Sequence, residues 1–345
     1  MKAVRVLEPK DIRFDDEAPS PGAPGPGEVL GAPLLAGICG TDVKEFLGYG
    51  MVVPGQPQIL GHEFAIRVVE VGEGVENVQP GDRAAVMPFQ HCGRCTHCWN
   101  GSFILCPYKT CLGLNEAGGG FGDLVLAKDY QLTSLGDLTD EQGALVEPAA
   151  VSLNAVLVAE VTAGDSVLVL GAGPVGSLAV LSAFAAGATR VYVSEPNAKR
   201  AAIIKQLGAT QILSGDYPDQ TDRALELTGG YGVDKVIDCA GKDGTLNFAV
   251  SAVRNGGTVC VPSVHRGSTD FDVRSITRRA ISVKGALGYT REAWIRTVRM
   301  IADGTYGADQ IVTSQITRED ILADGFEALT DPDRGQLKIM VRVND

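Results

Sequence analysis

A glycine-rich turn between an apolar strand and an apolar helix is the feature that most constrains the fold of this chain. The turn is the hexapeptide 171–176, which has the pattern Gly-x-Gly-x-x-Gly. It follows the apolar run 167–170 and precedes the apolar stretch 175–186. Apolar runs and helical stretches such as 198–207 and 246–253 then alternate, which predicts a doubly wound parallel sheet. The predicted strands of this sheet cover residues 167–170, 191–193, 211–213, 236–239, 259–261 and 281–283.

The first half of the chain has a different texture, in which short strand-like runs are broken by glycines. The runs 64–71, 83–87 and 124–127 indicate an irregular domain of the β-barrel type. Pro33 lies inside the strand-like run 29–36 and has no N–H for a strand ladder, so we expect an edge position or a bulge there. A length of 345 residues also predicts two domains, because it exceeds what one ordinary core accommodates.

The surroundings of the glycine turn predict a dinucleotide-binding site. Backbone N–H groups of the turn can approach a pyrophosphate at the N-terminus of a helix. Glu195 ends the next strand, where it can accept hydrogen bonds from the adenosine ribose and would repel a 2′-phosphate, which favours NAD over NADP. Arg200 lies on the following helix, where its positive charge would either accommodate a 2′-phosphate or face solvent. The glycine turn also has an alternative explanation, which is that it only allows close packing of the strand and the helix. The predicted cofactor-binding residues are Gly171, Gly173, Pro174, Val175, Gly176, Glu195 and Arg200.

Four cysteines in one short stretch predict a structural zinc site. They follow the pattern Cys-x2-Cys-x2-Cys-x7-Cys, and four thiolates can close a tetrahedral zinc site without any other ligand. A cluster of free thiols and a nucleic-acid-binding zinc ribbon are the alternatives. The net charge of −12 argues against nucleic acid as a partner, because a polyanion would be repelled. The predicted ligands are Cys92, Cys95, Cys98 and Cys106.

The sequence also indicates the cellular compartment in which to expect the protein. In the first residues, apolar and polar side chains alternate as they do in a strand. This segment is too short and too charged to be a signal peptide. No apolar run approaches the ~20 residues of a membrane span. The eight cysteines, without a signal peptide, indicate thiol and metal chemistry rather than a secreted disulfide framework. We therefore expect a soluble cytoplasmic protein that has no membrane partner.

The order of these features resembles the zinc-dependent medium-chain alcohol dehydrogenases, over nearly the whole chain. Within that family the resemblance is to the polyol, butanediol and threonine branch. It implies a GroES-like β-barrel catalytic domain at residues 1–150, which contains the structural zinc lobe at about 90–110. It further implies an NAD-binding Rossmann domain at residues 151–288, after which residues 289–345 return to the catalytic domain.

The resemblance also implies a catalytic zinc. Cys39, His62, Glu63 and Glu147 match the positions at which this branch carries its zinc shell. Taken one at a time, each residue also has an ordinary structural explanation, as a buried thiol, a core histidine, or a carboxylate in a strand or at a helix cap. A cysteine, a histidine and a carboxylate make a mixed site that keeps an open fourth position. Which of the two glutamates is the direct ligand stays open.

Two further residues enter through the same resemblance. Thr41 matches the hydroxyl that relays the substrate proton. Three positions on, relatives often carry a histidine that passes this proton to solvent, whereas this chain has Lys44. Lysine is not a proton shuttle at neutral pH unless its pKa is strongly lowered.

The implied activity is hydride transfer between a secondary alcohol and NAD, with two zinc ions per subunit, one catalytic and one structural. The stretches 284–292 and 118–122 resemble the butanediol branch. The loop between Cys39 and His62 is short for that branch, and its residues Tyr49, Met51 and Val52 suggest an apolar pocket wall. A vicinal diol, an α-hydroxyketone and a bulkier apolar alcohol therefore all remain candidate small-molecule substrates.

Two alternative functions remain open. One is a threonine or sugar-polyol dehydrogenase of the same family, and the other is a non-catalytic NAD-binding protein. An intact zinc shell together with Thr41 argues against the second. A homodimer or homotetramer is expected from family likeness alone.

Overall fold

The structure, a computed structural model, describes residues 1–50, 58–265 and 267–344. The chain divides into two units, one formed by Met1–Glu147 with Val312–Asp345 and the other by Pro148–Ile311. Among the described residues, no helix combines the length and the apolar character that crossing a bilayer would need.

The first unit is built on the long strand β3 (Glu28–Gly37). Strand β3 pairs antiparallel with β5 (Glu63–Val71) over most of its length, with β9 (Val125–Lys128) along its first half, and with β18 (Lys338–Arg342) at its end. The sheet has the order β10-β6-β5-β3-β18-β17, and a separate sheet has the order β2-β1-β4. The other strands of this unit are β1 (Ala3–Glu8), β2 (Asp11–Asp15), β4 (Gln58–Ile59), β6 (Arg83–Val86), β7 (Phe89–Gln90), β8 (Thr110–Cys111), β10 (Leu132–Ser134) and β17 (Val312–Thr317).

Pro33 causes an irregularity in β3. The register between β3 and β5 shifts between Pro33 and Leu35, so that the ladder is interrupted where the proline lacks an N–H. This shift agrees with the edge position or bulge expected from the sequence. After the shift, Gly37 at the end of β3 lies opposite Glu63 at the start of β5.

Helices and single helical turns connect the strands of the first unit. Helix α1 begins directly after β3, and helix α3 contains Pro148 and extends across the division between the two units. The helices are α1 (Gly40–Phe46), α2 (Thr96–Trp99), α3 (Asp140–Val158) and α10 (Ala328–Thr330), with 3-10 turns at Phe103–Leu105 and Asp129–Gln131 and a π-helix at Ile321–Glu327.

The second unit is a parallel sheet of order β13-β12-β11-β14-β15-β16, which confirms the doubly wound sheet predicted from the sequence. Its central strand β11 is buried throughout, as expected for a parallel strand with helices on both faces. The strands are β11 (Ser166–Leu170), β12 (Arg190–Ser194), β13 (Gln211–Leu213), β14 (Val233–Asp238), β15 (Val253–Val261) and β16 (Ser282–Gly285). The helices are α4 (Pro174–Ala185), α5 (Ala198–Gln206), α6 (Tyr217–Leu227), α7 (Thr245–Ala252), α8 (Val273–Arg279) and α9 (Arg291–Ala302), with a 3-10 turn at Ala308–Ile311.

Candidate metal and cofactor sites

The four cysteines of the loop 92–106 converge on one point. The Sγ–Sγ distances are 3.5 Å between Cys95 and Cys98, 3.6 Å between Cys92 and Cys106, and 4.0 Å between Cys92 and Cys98. All four sulfur atoms lie within 4.8 Å of one another. A tetrahedral zinc ion with Zn–S bonds of about 2.3 Å needs sulfur atoms about 3.8 Å apart. The four thiols therefore fit a zinc ion.

The ionisation of these thiols also favours a bound cation. The backbone N–H of Arg94 helps to lower the pKa of the Cys92 thiol to about 6. Burial and the neighbouring thiol of Cys95 raise the pKa of Cys98 to about 12. One thiolate thus forms readily, and every further thiolate has to form beside a negative charge. A divalent cation removes this repulsion when it binds all four as thiolates.

Cys39, His62 and Glu63 form a second group, in which one donor atom of each lies within 4.8 Å of the others. Cys39 follows β3 and is the N-cap residue of α1, where its N–H donates to Asp42 Oδ2 at 2.8 Å. Glu63 is the first residue of β5 and His62 immediately precedes it. The pairing of β3 with β5 therefore brings together donors that are far apart in the sequence.

Asp42 belongs to this site, although it was not predicted from the sequence. Its carboxylate is fully buried, and Oδ1 lies 3.5 Å from His62 Nδ1. Burial acts to lower the pKa of His62, but the charges of Cys39 and Asp42 outweigh burial and hold that pKa well above its ordinary value. A carboxylate beside one ring nitrogen orients the imidazole and leaves the other nitrogen for a metal. The sequence signal was the position of Asp42 at N3 of the helix that Cys39 caps.

Lys338 is the second residue that sequence reasoning missed. It lies on β18, its side chain is fully buried, and its Nζ donates to the Glu63 carboxylate and, at 3.1 Å, to the carbonyl oxygen of Ile38. A lysine is almost never fully buried unless it is paired. No local pattern in the sequence could identify this contact, because Lys338 and Glu63 are 275 residues apart.

Glu147 lies near the same site but is not one of the three clustered donors. It is buried in α3, next to Pro148. Burial raises the pKa of the Cys111 thiol to about 12, and the charges of His62, Glu147 and Cys39 all act on that thiol. Glu147 thus shares an electrostatic environment with the clustered donors.

The side chains at this second site carry an excess of negative charge, which suits a divalent cation. Cys39 as a thiolate and the carboxylates of Asp42, Glu63 and Glu147 are acidic, and Lys338 forms an ion pair with one of them, Glu63. Burying uncompensated charge is costly. Sulfur, nitrogen and carboxylate donors are those that zinc takes in a site with an open position. The donor set and its charge therefore fit a zinc ion.

The other residues expected around this site are not among the clustered donors. Thr41 lies in the first turn of α1, with its Oγ1 at 3.8 Å from Cys39 Sγ. Lys44 is half-buried in the same helix. The side chain of Tyr49 is 45% exposed, and the other two residues of the expected apolar wall, Met51 and Val52, lie outside the described residues.

In the second unit, the glycine turn lies between β11 and α4 as expected. Gly176 packs against the carbonyl oxygen of Gly171, so a side chain at this position would meet the backbone of the turn. Glu195 is buried at the end of β12, where its carboxylate accepts hydrogen bonds from the N–H groups of Ala172 at 2.7 Å and Asn197 at 2.8 Å. These bonds fix the acidic side chain against the turn, which the sequence did not reveal.

The other predicted cofactor residues lie close to this turn in the chain. Pro174 and Val175 form the start of α4, for which Gly173 is the N-cap. Arg200 lies in the first turn of α5, and its backbone N–H donates to Asn197 Oδ1 at 3.1 Å. The turn and Glu195 follow adjacent parallel strands, and the carboxyl ends of such strands form the crevice in which doubly wound sheets bind ligands.

Comparison with known proteins finds one family model within each of the two units. The model of the alcohol dehydrogenase GroES-like domain matches residues 25–137, and that of the zinc-binding dehydrogenase matches residues 174–303. The (R,R)-butanediol dehydrogenase of Bacillus subtilis (strain 168) is 36% identical over 100% of both chains. The L-threonine 3-dehydrogenase of Pyrococcus furiosus is 32% identical over 92% of both. The crystal structure of 2R,3R-butanediol dehydrogenase from Bacillus subtilis is similar with a TM-score of 0.90, at 35% identity over 99% of both chains.

Two substitutions should each remove one zinc ion. We expect Cys95→Ser to lower the zinc content from about two to about one per subunit, and Cys39→Ser to do the same at the other site, because each loses a thiolate ligand. Elemental analysis after gel filtration measures this content. Cys260→Ala, which alters a buried thiol on β15 that belongs to neither cluster, is the matched control and should keep both ions. Two ions retained in Cys39→Ser would contradict the assignment of the second site.

Proposed function

The chain belongs to the zinc-dependent medium-chain alcohol dehydrogenases, and on this premise we propose that it interconverts a secondary alcohol or vicinal diol and the corresponding ketone or hydroxyketone by hydride transfer with NAD. The observation that carries the proposal is the clustering of Cys39, His62 and Glu63 in a chain that also has the dinucleotide turn. When bound by these donors, zinc supplies a Lewis acid that lowers the pKa of an alcohol hydroxyl.

We assign the catalytic role to the first unit and the coenzyme-binding role to the second. Cys39, His62 and the two glutamates hold the catalytic zinc, and the four cysteines of the loop 92–106 hold the structural zinc. Asp42 supports this assignment, because a buried carboxylate beside His62 Nδ1 orients the ring toward a metal. Glu63 lies among the clustered donors. The charge of Glu147 acts on the same buried thiol, Cys111, as the charges of His62 and Cys39 do, which supports its proposed place in the zinc shell.

Thr41 is the proposed proton acceptor for the substrate hydroxyl. Its Oγ1 lies near Cys39 Sγ, at the N-terminal turn of α1 and therefore beside the metal donors. A hydroxyl can accept a proton from the substrate and donate its own onward, which makes it a relay. Lys44 lies about one helical turn further along the same helix, and its proposed role is to orient water on the route by which the proton reaches solvent.

NAD is the proposed coenzyme, because of Glu195. Its carboxylate is already fixed by two backbone N–H donors, at the end of the strand next to the glycine turn. A carboxylate has about four acceptor sites, so ribose hydroxyl groups can still bind there. A 2′-phosphate at the same place would face a buried negative charge.

A vicinal diol or its hydroxyketone is the substrate class that the chain supports best. The glycine stretch 118–122, which resembles the butanediol branch, contacts the residues just before His62: Gly120 N–H donates to Gly61 O at 2.7 Å and Phe121 N–H to Leu60 O at 3.0 Å. This stretch therefore borders the metal donors. The 36% identity to a butanediol dehydrogenase over the whole chain supports the same class. Threonine or a sugar polyol is the alternative, supported by the threonine dehydrogenase relative.

A substrate panel tests this proposal. We expect initial rates of NAD reduction to give a kcat/KM for a stereoisomer of 2,3-butanediol about tenfold or more above those for sorbitol, threonine and an aryl secondary alcohol, because a site built to bind two hydroxyls discriminates against substrates that pair them poorly. Activity on the aryl alcohol alone would show that an apolar pocket wall sets the specificity. The absence of activity on all four, with two zinc ions present, would contradict the substrate class.

The coenzyme preference has its own test in Glu195→Gln. This change keeps the size of the side chain and removes its charge, so the ratio of kcat/KM with NAD to that with NADP should fall by about tenfold or more. Steady-state rates with both coenzymes measure the ratio. The control is Glu226→Gln, which changes an exposed glutamate of the same unit. An unchanged ratio in Glu195→Gln would show that other residues select the coenzyme.

We also propose that the protein is a homodimer or a homotetramer. Strand β16 ends the parallel sheet, and in the described residues its outer edge has no partner strand. Val283 on this strand and Leu287 just after it are 38% and 52% exposed. An open, partly apolar strand edge can pair with the same edge of a second copy.

Light scattering can test this assembly. Val283→Glu should shift the mass toward that of one chain, because the new charge would face its symmetry mate across the strand edge. Val273→Glu, at an exposed position on α8 of the same unit, should leave the mass unchanged. A single-chain mass for the unaltered protein would contradict the proposal.

A cytoplasmic location is proposed from the thiols. All eight cysteines lie in the described residues, and all eight are free. Two zinc sites that depend on thiolates require a compartment in which thiols stay reduced.

A further inference from the structure

We propose that Ser263 binds the nicotinamide half of the coenzyme and that His265 is a positioning residue, which holds the loop of Ser263 in place through the buried carboxylate of Asp238. This inference rests on the proposed function, because it concerns the coenzyme assigned there. It deepens that function by naming residues for the half of the coenzyme that the glycine turn and Glu195 do not bind.

The loop 262–265, which follows β15, lies at the edge of the sheet where the second half of a dinucleotide is expected. The strand order reverses between β11 and β14, and dinucleotides bind across such a point, at the carboxyl ends of the strands. The glycine turn and Glu195 follow β11 and β12, on one side of this point. The loops after β14 and β15 lie on the other side, so they are the ones available to the nicotinamide half.

Ser263 carries a polar atom in this loop that the described residues leave without a hydrogen bond. Its Oγ is buried and has no hydrogen-bond partner among them. The side chain packs against the turn after β14, because a Cβ atom at Gly241 would lie 2.9 Å from Ser263 Cβ and 3.1 Å from its Oγ. A buried hydroxyl without a partner costs free energy. The ribose hydroxyls and the carboxamide of the nicotinamide half can supply that partner.

Asp238, the last residue of β14, anchors the loops after both strands. Its side chain is fully buried. Oδ1 accepts hydrogen bonds from the N–H groups of Ala240 at 3.0 Å and Gly241 at 3.1 Å. Oδ2 lies 2.7 Å from Thr245 Oγ1 and 3.2 Å from His265 Nε2. A carboxylate has about four acceptor sites, so these four contacts occupy Asp238, which therefore positions other groups and does not itself bind the coenzyme.

His265 is the side chain that joins the loop after β15 to this anchor. An ionised carboxylate only accepts hydrogen bonds, so Nε2 of His265 donates to Asp238. Ser263 lies two residues before His265 in the chain. Gly241, against which Ser263 packs, is held by the same carboxylate. Asp238 thus fixes both the loop that carries the Ser263 hydroxyl and the turn against which this hydroxyl lies.

The test is the affinity of the zinc-loaded protein for NADH and for ADP, measured by isothermal titration calorimetry. ADP contains the adenosine and the pyrophosphate but lacks the second ribose and the nicotinamide. We expect Ser263→Ala to raise the Kd of NADH by about three- to tenfold, because one hydrogen bond is lost, and to change the Kd of ADP by less than about twofold. Ser268→Ala, which alters an exposed serine of the same connection, is the matched control and should change neither Kd.

A double-mutant cycle tests whether His265 acts through Ser263. We expect His265→Ala to raise the Kd of NADH by about three- to tenfold in the unaltered chain, but by less than about twofold in a Ser263→Ala background, where the positioned hydroxyl is absent. His265→Gln keeps an N–H donor at about the place of Nε2 and should stay within about threefold of the original Kd. If His265→Ala does not fold, His265→Phe takes its place, because it keeps a ring and lacks the donor.

Two results would overturn the inference. One is an unchanged Kd of NADH in Ser263→Ala. The other is an equal loss of affinity for NADH and ADP in the His265 variant that lacks the donor, which would show that the second unit is loosened as a whole. Failure of the proposed function would look different, since the unaltered protein would then bind neither ligand, or would bind NADH and oxidise no alcohol.

Discussion

The antiparallel pairing of β3 with β5 and β18 is the constraint on which the candidate metal site depends. Because Gly37 lies opposite Glu63, the end of β3 delivers Cys39 to the same place at which β5 begins with His62 and Glu63. Strand β18 pairs with the same end of β3 and adds Lys338 from the far end of the chain. The bulge at Pro33 precedes this region and sets the register that follows it. A slip of one residue in either ladder would turn these side chains to the opposite face of the sheet.

This pairing gathers acidic side chains that would repel one another without a cation. Asp42 and Glu63 are both buried, and Cys39 joins them when it is ionised. Lys338 compensates part of this charge, and a divalent metal ion compensates more of it. A metal ion bound here would therefore help the first unit to accommodate the negative charges buried in its interior. The four-cysteine site does not depend on strand pairing in this way, because all its ligands come from one loop.

How far the sequence predicted the structure depends on whether a signal is local. The parallel sheet, the glycine turn and the four-cysteine loop were all predicted. Each of them gives a recognisable pattern within a short stretch of sequence. Cys39 and His62 were found only through family resemblance, since their proximity depends on strand register and not on spacing. Asp42 and Lys338 were missed. Asp42 required knowing that α1 begins at Cys39, and Lys338 required the pairing of the last strand with β3.

The central claim is that the chemistry occurs at the zinc held by Cys39 and His62. Its most direct test is turnover by His62→Ala that has been shown to carry only the zinc of the four cysteines, with bound NADH detected by its fluorescence. The account predicts that coenzyme binding persists while the rate of alcohol oxidation falls by at least about 10³-fold, because the Lewis acid is absent. Full turnover in such a preparation would contradict the zinc mechanism and move the active site elsewhere in the chain.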